Sequence, residues 1–371
     1  MRLSVAIGFA VVALAVTALP AHAYPEFQFA TGATRCSECH FAPGGGGLIN
    51  DYGRDEAGST ISSGGDGRFL HGAFEMPAAL ALGGDVRLAG LARRVRGGNE
   101  AAVFPMQADL YARLAVGGVS VQATGGVLGA IREPAPFVDR LGSREHFAMY
   151  QPESRAWYVR AGRFFPVFGL RLPDHTAYVR RFTGRHSLEE PYGVAAGITR
   201  DAWDLHASLI APFELHPTVG RHGWGGAASA EHVGDVSSTG LQLDVRRNED
   251  GVRGWIGGTW KRWFEGSDLM LASELDAGLI VTDATREKIT QLAGYAALTY
   301  RPGKPLGFQT AAHYFDPDAY LVGQERVALD GSVRWFPRAH FELSVLLRGE
   351  ATVRELDRTN LFAMIQVHYF L

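Results

Sequence analysis

From residue 79 to Leu371 the chain repeats one pattern: apolar and polar residues alternate through segments of roughly ten to fourteen residues, separated by turn residues. A period of two places successive side chains on opposite faces of an extended strand. In Arg326 to Trp335, Val327, Leu329, Gly331, Val333 and Trp335 fall on one face. Arg326, Ala328, Asp330, Ser332 and Arg334 fall on the other. His340 to Glu350 sets Phe341, Leu343, Val345 and Leu347 against Glu342, Ser344, Arg348 and Glu350. Thr239 to Arg246 and Leu269 to Val281 repeat the arrangement, the latter with Leu271, Leu275 and Leu279 opposite Glu274 and Asp276. The pattern is all-β, and it never builds an apolar run long enough for a spanning helix.

Two architectures alternate in this way. A soluble sandwich turns its apolar face inward, whereas a transmembrane barrel turns it outward to lipid and keeps a polar lumen. Repeated strands of about ten residues or more fit a bilayer crossing better than the short strands of a sandwich. Aromatic residues gather at segment ends, where an interfacial girdle belongs: Trp157 and Tyr158, Trp260 and Trp263, Tyr300, Trp335 and Phe336, Tyr369 and Phe370. Leu361, Ala363, Ile365, Val367, Tyr369 and Leu371 form an apolar row to the last residue. This row resembles the C-terminal strand of bacterial outer-membrane proteins. Those usually finish on Phe, and here Phe370 is penultimate. The resemblance implies an antiparallel transmembrane β-barrel in the outer membrane, in contact with its lipid.

Strands are counted back from the C-terminus, with Phe336-Pro337-Arg338-Ala339 as a periplasmic turn and Glu350 to Asn360 as the last outer loop. The parity closes at about sixteen if Glu145 to Gln151 pairs with Arg155 to Arg163 across Pro152-Glu153. Fourteen is the alternative. One outer connection, Phe164 to Pro191, is long for a compact domain. It resembles the inward-folded constriction loop of porins. It carries Arg171, His175, Arg180, Arg181, Arg185 and His186, which would attract anions in a lumen. A solvated surface loop is the competing expectation. His146, His206, His313, His340 and His368 are read as wall residues, mostly in strands facing the lumen.

The start of the chain differs. Arg2, the uncharged apolar run Leu3 to Leu19 and the small-x-small Ala21-His22-Ala23 read as a signal peptide over residues 1–23, with Tyr24 as the first mature residue. A membrane anchor is the alternative. Residues 24–78 then form a small loop-rich and helical module with its tether, and 79–371 the barrel. A net charge of −3 argues against a nucleic-acid partner. Among the basic residues only Lys261, Lys288 and Lys304 are Lys; Arg pairs better with carboxylates inside a wall.

Both cysteines lie in one motif, Cys36-Ser37-Glu38-Cys39-His40. Two thioether-forming Cys, a two-residue spacer and an adjacent His are the elements of a covalent haem c site. Cys36 and Cys39 would hold one haem, and His40 would be the proximal iron ligand. A thioredoxin-like pair would need a βαβ surround, which the flanks FATGATR and FAPGGGGLINDYGRD do not provide. Pro43 and Gly44 to Gly47 break any helix and let backbone approach a flat ligand. Leu48, Ile49 and Tyr52 are expected to cover it. The region from about residue 30 to 56 resembles small cytochrome c modules, although it is shorter than a usual one. His71 and Met76 are the candidate distal ligands, with an open or water-ligated iron or a barrel histidine as alternatives. Gly53 to Pro77, rich in Gly and Ser, reads as a flexible tether.

Joined, these parts are similar in logic to bacterial porin–cytochrome systems. That similarity implies electron relay at or across the outer membrane, with periplasmic and extracellular redox proteins such as cytochromes as partners. The haem would sit on the periplasmic side or in the lumen. The alternative is a porin for small anionic solutes, with the haem as redox gate or plug. No peroxidase-like acid–base pair, phosphate loop or zinc spacing points to a catalytic enzyme.

Overall fold

The computed structural model describes residues 24–95, 98–127, 141–186, 189–213 and 223–371. The signal peptide expected over 1–23 lies outside the described residues.

Sixteen antiparallel strands close into one barrel, each bonded to its sequence neighbours and β1 to β16. The expectation of sixteen strands, rather than fourteen, holds. The strands are β1 (Leu80–Val95), β2 (Gly98–Val116), β3 (Val119–Val127), β4 (Leu141–Tyr150), β5 (Trp157–Arg163), β6 (Tyr192–Arg200), β7 (Trp203–Ala211) and β8 (Trp224–Val233). They continue as β9 (Ser237–Asn248), β10 (Gly251–Phe264), β11 (Leu269–Thr282), β12 (Lys288–Tyr300), β13 (Leu306–Asp316), β14 (Arg326–Arg338), β15 (Phe341–Thr352) and β16 (Asn360–Phe370). The hairpin that decided the count is present, with Tyr150 opposite Val159 and His146 opposite Arg163. Closure runs from Asp85↔Phe370 to Arg94↔Leu361, and the amide of Leu371 donates to the Gly84 carbonyl at 2.7 Å. The last residue therefore belongs to the ladder, which leaves no free sheet edge.

The alternation resolves as a barrel turned apolar side out. On β11, Leu275 is 65% exposed while its neighbour Asp276 is fully buried in the lumen. Leu329, Leu347 and Ile365 likewise face outward, and Asp330, Arg348 and Gln366 face in. Leaving each such side chain in water, rather than in an apolar medium, costs about 1.5–3 kcal/mol. Tyr150, Trp157, Trp203, Trp260, Tyr300 and Trp335 point outward near one rim, the rim at which the chain enters β1. Tyr158 and Phe336, expected in the same girdle, are buried inside instead. Each adjoins an outward tryptophan, and adjacent strand residues take opposite faces.

Two segments occupy the lumen. The connection 164–191 folds inward. Phe168, Leu170, Leu172, Tyr178 and Val179 pack on inner-wall residues that include Trp255, Ala272, Ala293, Tyr295, Ala311 and Phe315. Small alanines on the lumen face of β11 to β14 make the room. Arg348 on β15 clamps the loop: its guanidinium reaches Asp174 at 2.6 Å, Thr176 Oγ1 at 2.6 Å and Asp330 at 2.7 Å. A solvated surface loop is thereby excluded.

The second segment, 24–77, lies in the mouth at the aromatic rim. It is tied to strands around much of the circumference. Arg35 pairs with Asp204 on β7 at 3.0 Å, and Gln28 accepts from Lys261 on β10 at 2.8 Å. Glu26 pairs with Arg334 on β14, Tyr24 donates to Glu342 on β15 at 2.5 Å, and Arg54 donates to the Leu82 carbonyl on β1. The expected flexible tether is not one. The Ser63 amide bonds Phe336 O at 3.1 Å, the Ala339 amide bonds Gly64 O at 3.0 Å, and His340 Nε2 bonds the Asp66 carbonyl at 2.9 Å. Glycine there serves close approach: a side chain at Gly67 would collide with the backbone of Arg54. His340 is also placed differently from expectation. It sits in the β14–β15 turn, with φ +71°, not within a strand.

Candidate functional site

The Cys-x-x-Cys segment forms a single helical turn, α1 (Cys36–Cys39), in which the His40 amide closes on the Cys36 carbonyl at 3.1 Å. Glu38 holds the entry to this turn by accepting from the Thr34 amide at 2.8 Å. His40 leaves in extended conformation and pairs with Ile49 across an isolated bridge. Between them the chain reverses through Gly45, Gly46 and Gly47, whose φ values of +76°, +80° and +62° are in the left-handed region. Asn50 locks the return. Its amide donates to Cys39 O at 2.9 Å, its Nδ2 to Glu38 O at 2.8 Å, and its Oδ1 caps α2 (Asp51–Glu56) by accepting from Gly53 at 3.0 Å. A side chain at Gly53 would strike the Cys39 carbonyl, so α2 packs directly on the motif.

Cys36, Cys39 and His40 all line one cavity, bounded by the 24–77 segment, by the wall and by Val167, Gly169, Leu170 and Arg171 of the lumen loop. Its space free of protein atoms, open mouth included, is about 1480 Å³. The lining is mixed: Pro25, Phe27, Ile49, Ala57, Ile61 and Phe336 give apolar surface, and Arg35, Asp85, Arg87, Arg171, Glu231 and Lys261 give charge.

Burial sets the protonation of the motif. It pushes the Cys36 thiol up, and the Cys39 thiol up to about 12, so both are neutral thiols. Burial, helped by the nearby Arg171 cation, lowers His40 to about 4, so its ring is neutral and able to ligate a metal. The carbonyls of Gly46 and Gly47 favour its protonated form, yet its buried Nδ1 makes no hydrogen bond of normal geometry. A neutral buried imidazole and two neighbouring thiols, on one wall of a partly apolar cavity, fit a covalently attached, flat prosthetic group.

The other expected residues are placed apart from this cavity or only partly in it. Ile49 lines it, but Leu48 is fully buried against Tyr111 of β2, in room left by Gly83. Tyr52 faces out, donating to the Thr31 carbonyl at 2.8 Å. Neither His71 nor Met76 lines it. His71 lies at the rim, its ring centre 4.5 Å from that of His340 and its Nε2 3.1 Å from Tyr369 Oη. Two wall histidines do line the cavity, His206 and His368. His368 bridges Glu342 at 2.8 Å and Asp85 at 2.7 Å. The alternation puts both on the polar face of their strands, but which strand lies beside Cys36 follows only from the Arg35–Asp204 pair.

No protein-family model and no curated protein matches this chain by sequence. Solved structures do match. Daunomycin-bound OmpF of Salmonella typhi aligns at TM-score 0.62 and 10% identity, over 79% of this chain and 97% of that one. OmpT of Vibrio cholerae, in a trimer form, aligns at TM-score 0.61 and 10% identity, over 79% and 100%. An anion-selective porin of Comamonas acidovorans aligns at 0.60 and 10%, over 79% and 99%. The fold is the porin barrel. At that identity the likeness concerns architecture, and the site's chemistry has to be argued from its own residues. Loop 164–191 supplies the roof of the cavity through Val167 to Arg171 and pins itself to β9 and β11. The Gly169 amide donates to Gln242 at 2.9 Å, and the Leu170 amide to Glu274 at 2.7 Å.

Proposed function

We propose that this chain is an outer-membrane barrel whose periplasmic mouth is closed by a haem c module, and that it relays electrons at that membrane. The outward apolar belt and aromatic rim support the location, as do the porin barrels of like fold. The relay reading is carried by one observation: Cys36, Cys39 and His40 line a single cavity inside the barrel, between the entry segment and the lumen loop. A haem held there would supply a one-electron iron couple. The residues of the chain do the rest. Cys36 and Cys39 would anchor the group, and neutral His40 would ligate it. Arg35, Lys261 and Arg54 hold the segment in the mouth, and Arg171 sets positive charge beside the site.

The hydrocarbon core is about 30 Å thick, and one haem is much shorter. The relay therefore needs a periplasmic and an extracellular redox partner. A second reading, a channel for small and anionic solutes with the module as gate, is favoured by the porin likeness and by the arginines of the lumen loop. The comparisons speak for the channel and the cavity speaks for the relay. Haem staining of the denatured membrane fraction tests the module. Reconstituted vesicles then separate the two readings. With soluble cytochromes supplied as donor on one side and acceptor on the other, oxidation of a trapped reductant, without ion flux, is expected. Ion flux without that oxidation would sink the relay.

A further inference from the structure

We infer that His206 of β7 is the second axial ligand of the haem iron, an assignment that rests on the haem reading above. Among the described residues lining the cavity, the nitrogen ligands beyond His40 are His206, His368 and Lys261, and no methionine is among them. Two of the three are committed. His368 uses both ring nitrogens, on Glu342 and Asp85. Lys261 is paired with Glu231 at 2.7 Å and bonded to Gln28 at 2.8 Å. His206 uses one nitrogen: its Nδ1 meets Tyr158 Oη at 3.0 Å, and Nε2 has no hydrogen-bond partner among the described residues. A metal-binding histidine is held in this way, with the outer nitrogen oriented by a neighbour and the inner one free for the metal.

The wall is shaped for this pair. Tyr158 on β5, Gly197 on β6 and His206 on β7 stand in one row across three strands. A Cβ at position 197 would collide with both the Tyr158 ring and His206 Nδ1. Glycine there lets tyrosine reach histidine over the strand between them. The motif is docked on the same strand. Arg35, which immediately precedes Cys36, bonds Asp204 at 3.0 Å and the Asp201 carbonyl at 2.7 Å. Asp204 and His206 share the lumen face of β7, two residues apart, about 7 Å along the strand. His206 thus lies beside the place where the haem edge would be attached, and it takes the role that the sequence suggested for His71 or Met76.

The test uses the full chain, matured with haem, in detergent. Absorption and electron paramagnetic resonance spectra of the wild type should report a low-spin, bis-nitrogen iron that binds carbon monoxide slowly. His206→Ala should lose the low-spin signal, bind carbon monoxide readily and regain the low-spin form with added imidazole. His206→Met should keep six-coordination and raise the midpoint potential, since a His/Met pair sits higher. Gly197→Ala should give a mixed-spin iron, and heat-modifiable gel migration shows whether each barrel is folded. An unchanged low-spin spectrum in folded His206→Ala overturns the assignment. So does a high-spin wild type, or loss of the low-spin form in Lys261→Gln instead. A folded wild type without covalent haem overturns the haem reading itself, and the assignment with it.

Discussion

The two lumen segments are held in opposite ways. Loop 164–191 fills its space with a continuous apolar cluster and one multidentate arginine clamp. Segment 24–77 has smaller, separate apolar contacts, Leu48 on Tyr111 with Phe41 and Ala81 beside it and Tyr24 and Phe27 edge-on to Phe336, and is held to the wall mainly by polar bonds. Around its motif it leaves a cavity that opens at the mouth. The loop is packed throughout by protein, whereas the segment lines an open cavity, which is where the proposed haem would sit.

The largest effect should come from removing the attachment. Cys36→Ser with Cys39→Ser should abolish covalent haem on a denaturing gel and expose segment 24–77 to protease. Protection of 164–191 should stay unchanged. Haem retained in that variant would break the comparison at its root. Arg348→Ala comes next. It strands Asp174 and Asp330 in the lumen and should cost the loop about 3–5 kcal/mol. Hydrogen exchange should rise across 164–191 while haem content holds, and equal exchange in both segments would show that they are one cooperative unit.

Leu48→Ala removes the module's buried aliphatic anchor, for about 2–3 kcal/mol. Exchange should rise over 36–56 and spare the loop. The smallest effect is one of pH. Glu190, 2% exposed where the loop enters β6, has its carboxyl raised by burial from 4.5 to about 7. A raised carboxyl stabilises the folded loop fully below its ordinary value, and that stability is lost as pH climbs through about 7. The slope should approach ~1.4 kcal/mol per pH unit. Loop exchange should therefore quicken from acid to neutral pH, and Glu190→Gln should flatten the trend. A slope surviving in that variant assigns it to another group.

Most of the fold could be read in advance because a period of two has so few solutions. Leu275 beside Asp276, and Leu329 beside Asp330, give each strand an inside and an outside wherever it sits. The Cys-x-x-Cys-His motif was visible for a different reason: Cys36, Cys39 and His40 are adjacent in sequence, and the haem chemistry that their spacing suggests is the proposal made above. Residues joined only through space were harder. Nothing in the sequence near His71 says that it ends at the rim against His340, and nothing near Ser62 says that a glycine-rich stretch is bonded into the β14–β15 turn.

By itself, then, the sequence pointed to a lipid-facing barrel of about sixteen strands, with fourteen as the alternative, to a long loop that would either fold inward or lie on the surface, and to one Cys-x-x-Cys-His motif ahead of the first strand. Each of these is written in neighbouring residues. Only the tertiary structure decided that the motif lies within the mouth, that the loop roofs it and that β7 brings His206 to it. Those facts depend on closure of the barrel. Closure brings Arg35 to Asp204, 169 residues away, and a separation of that length leaves no trace in a local pattern.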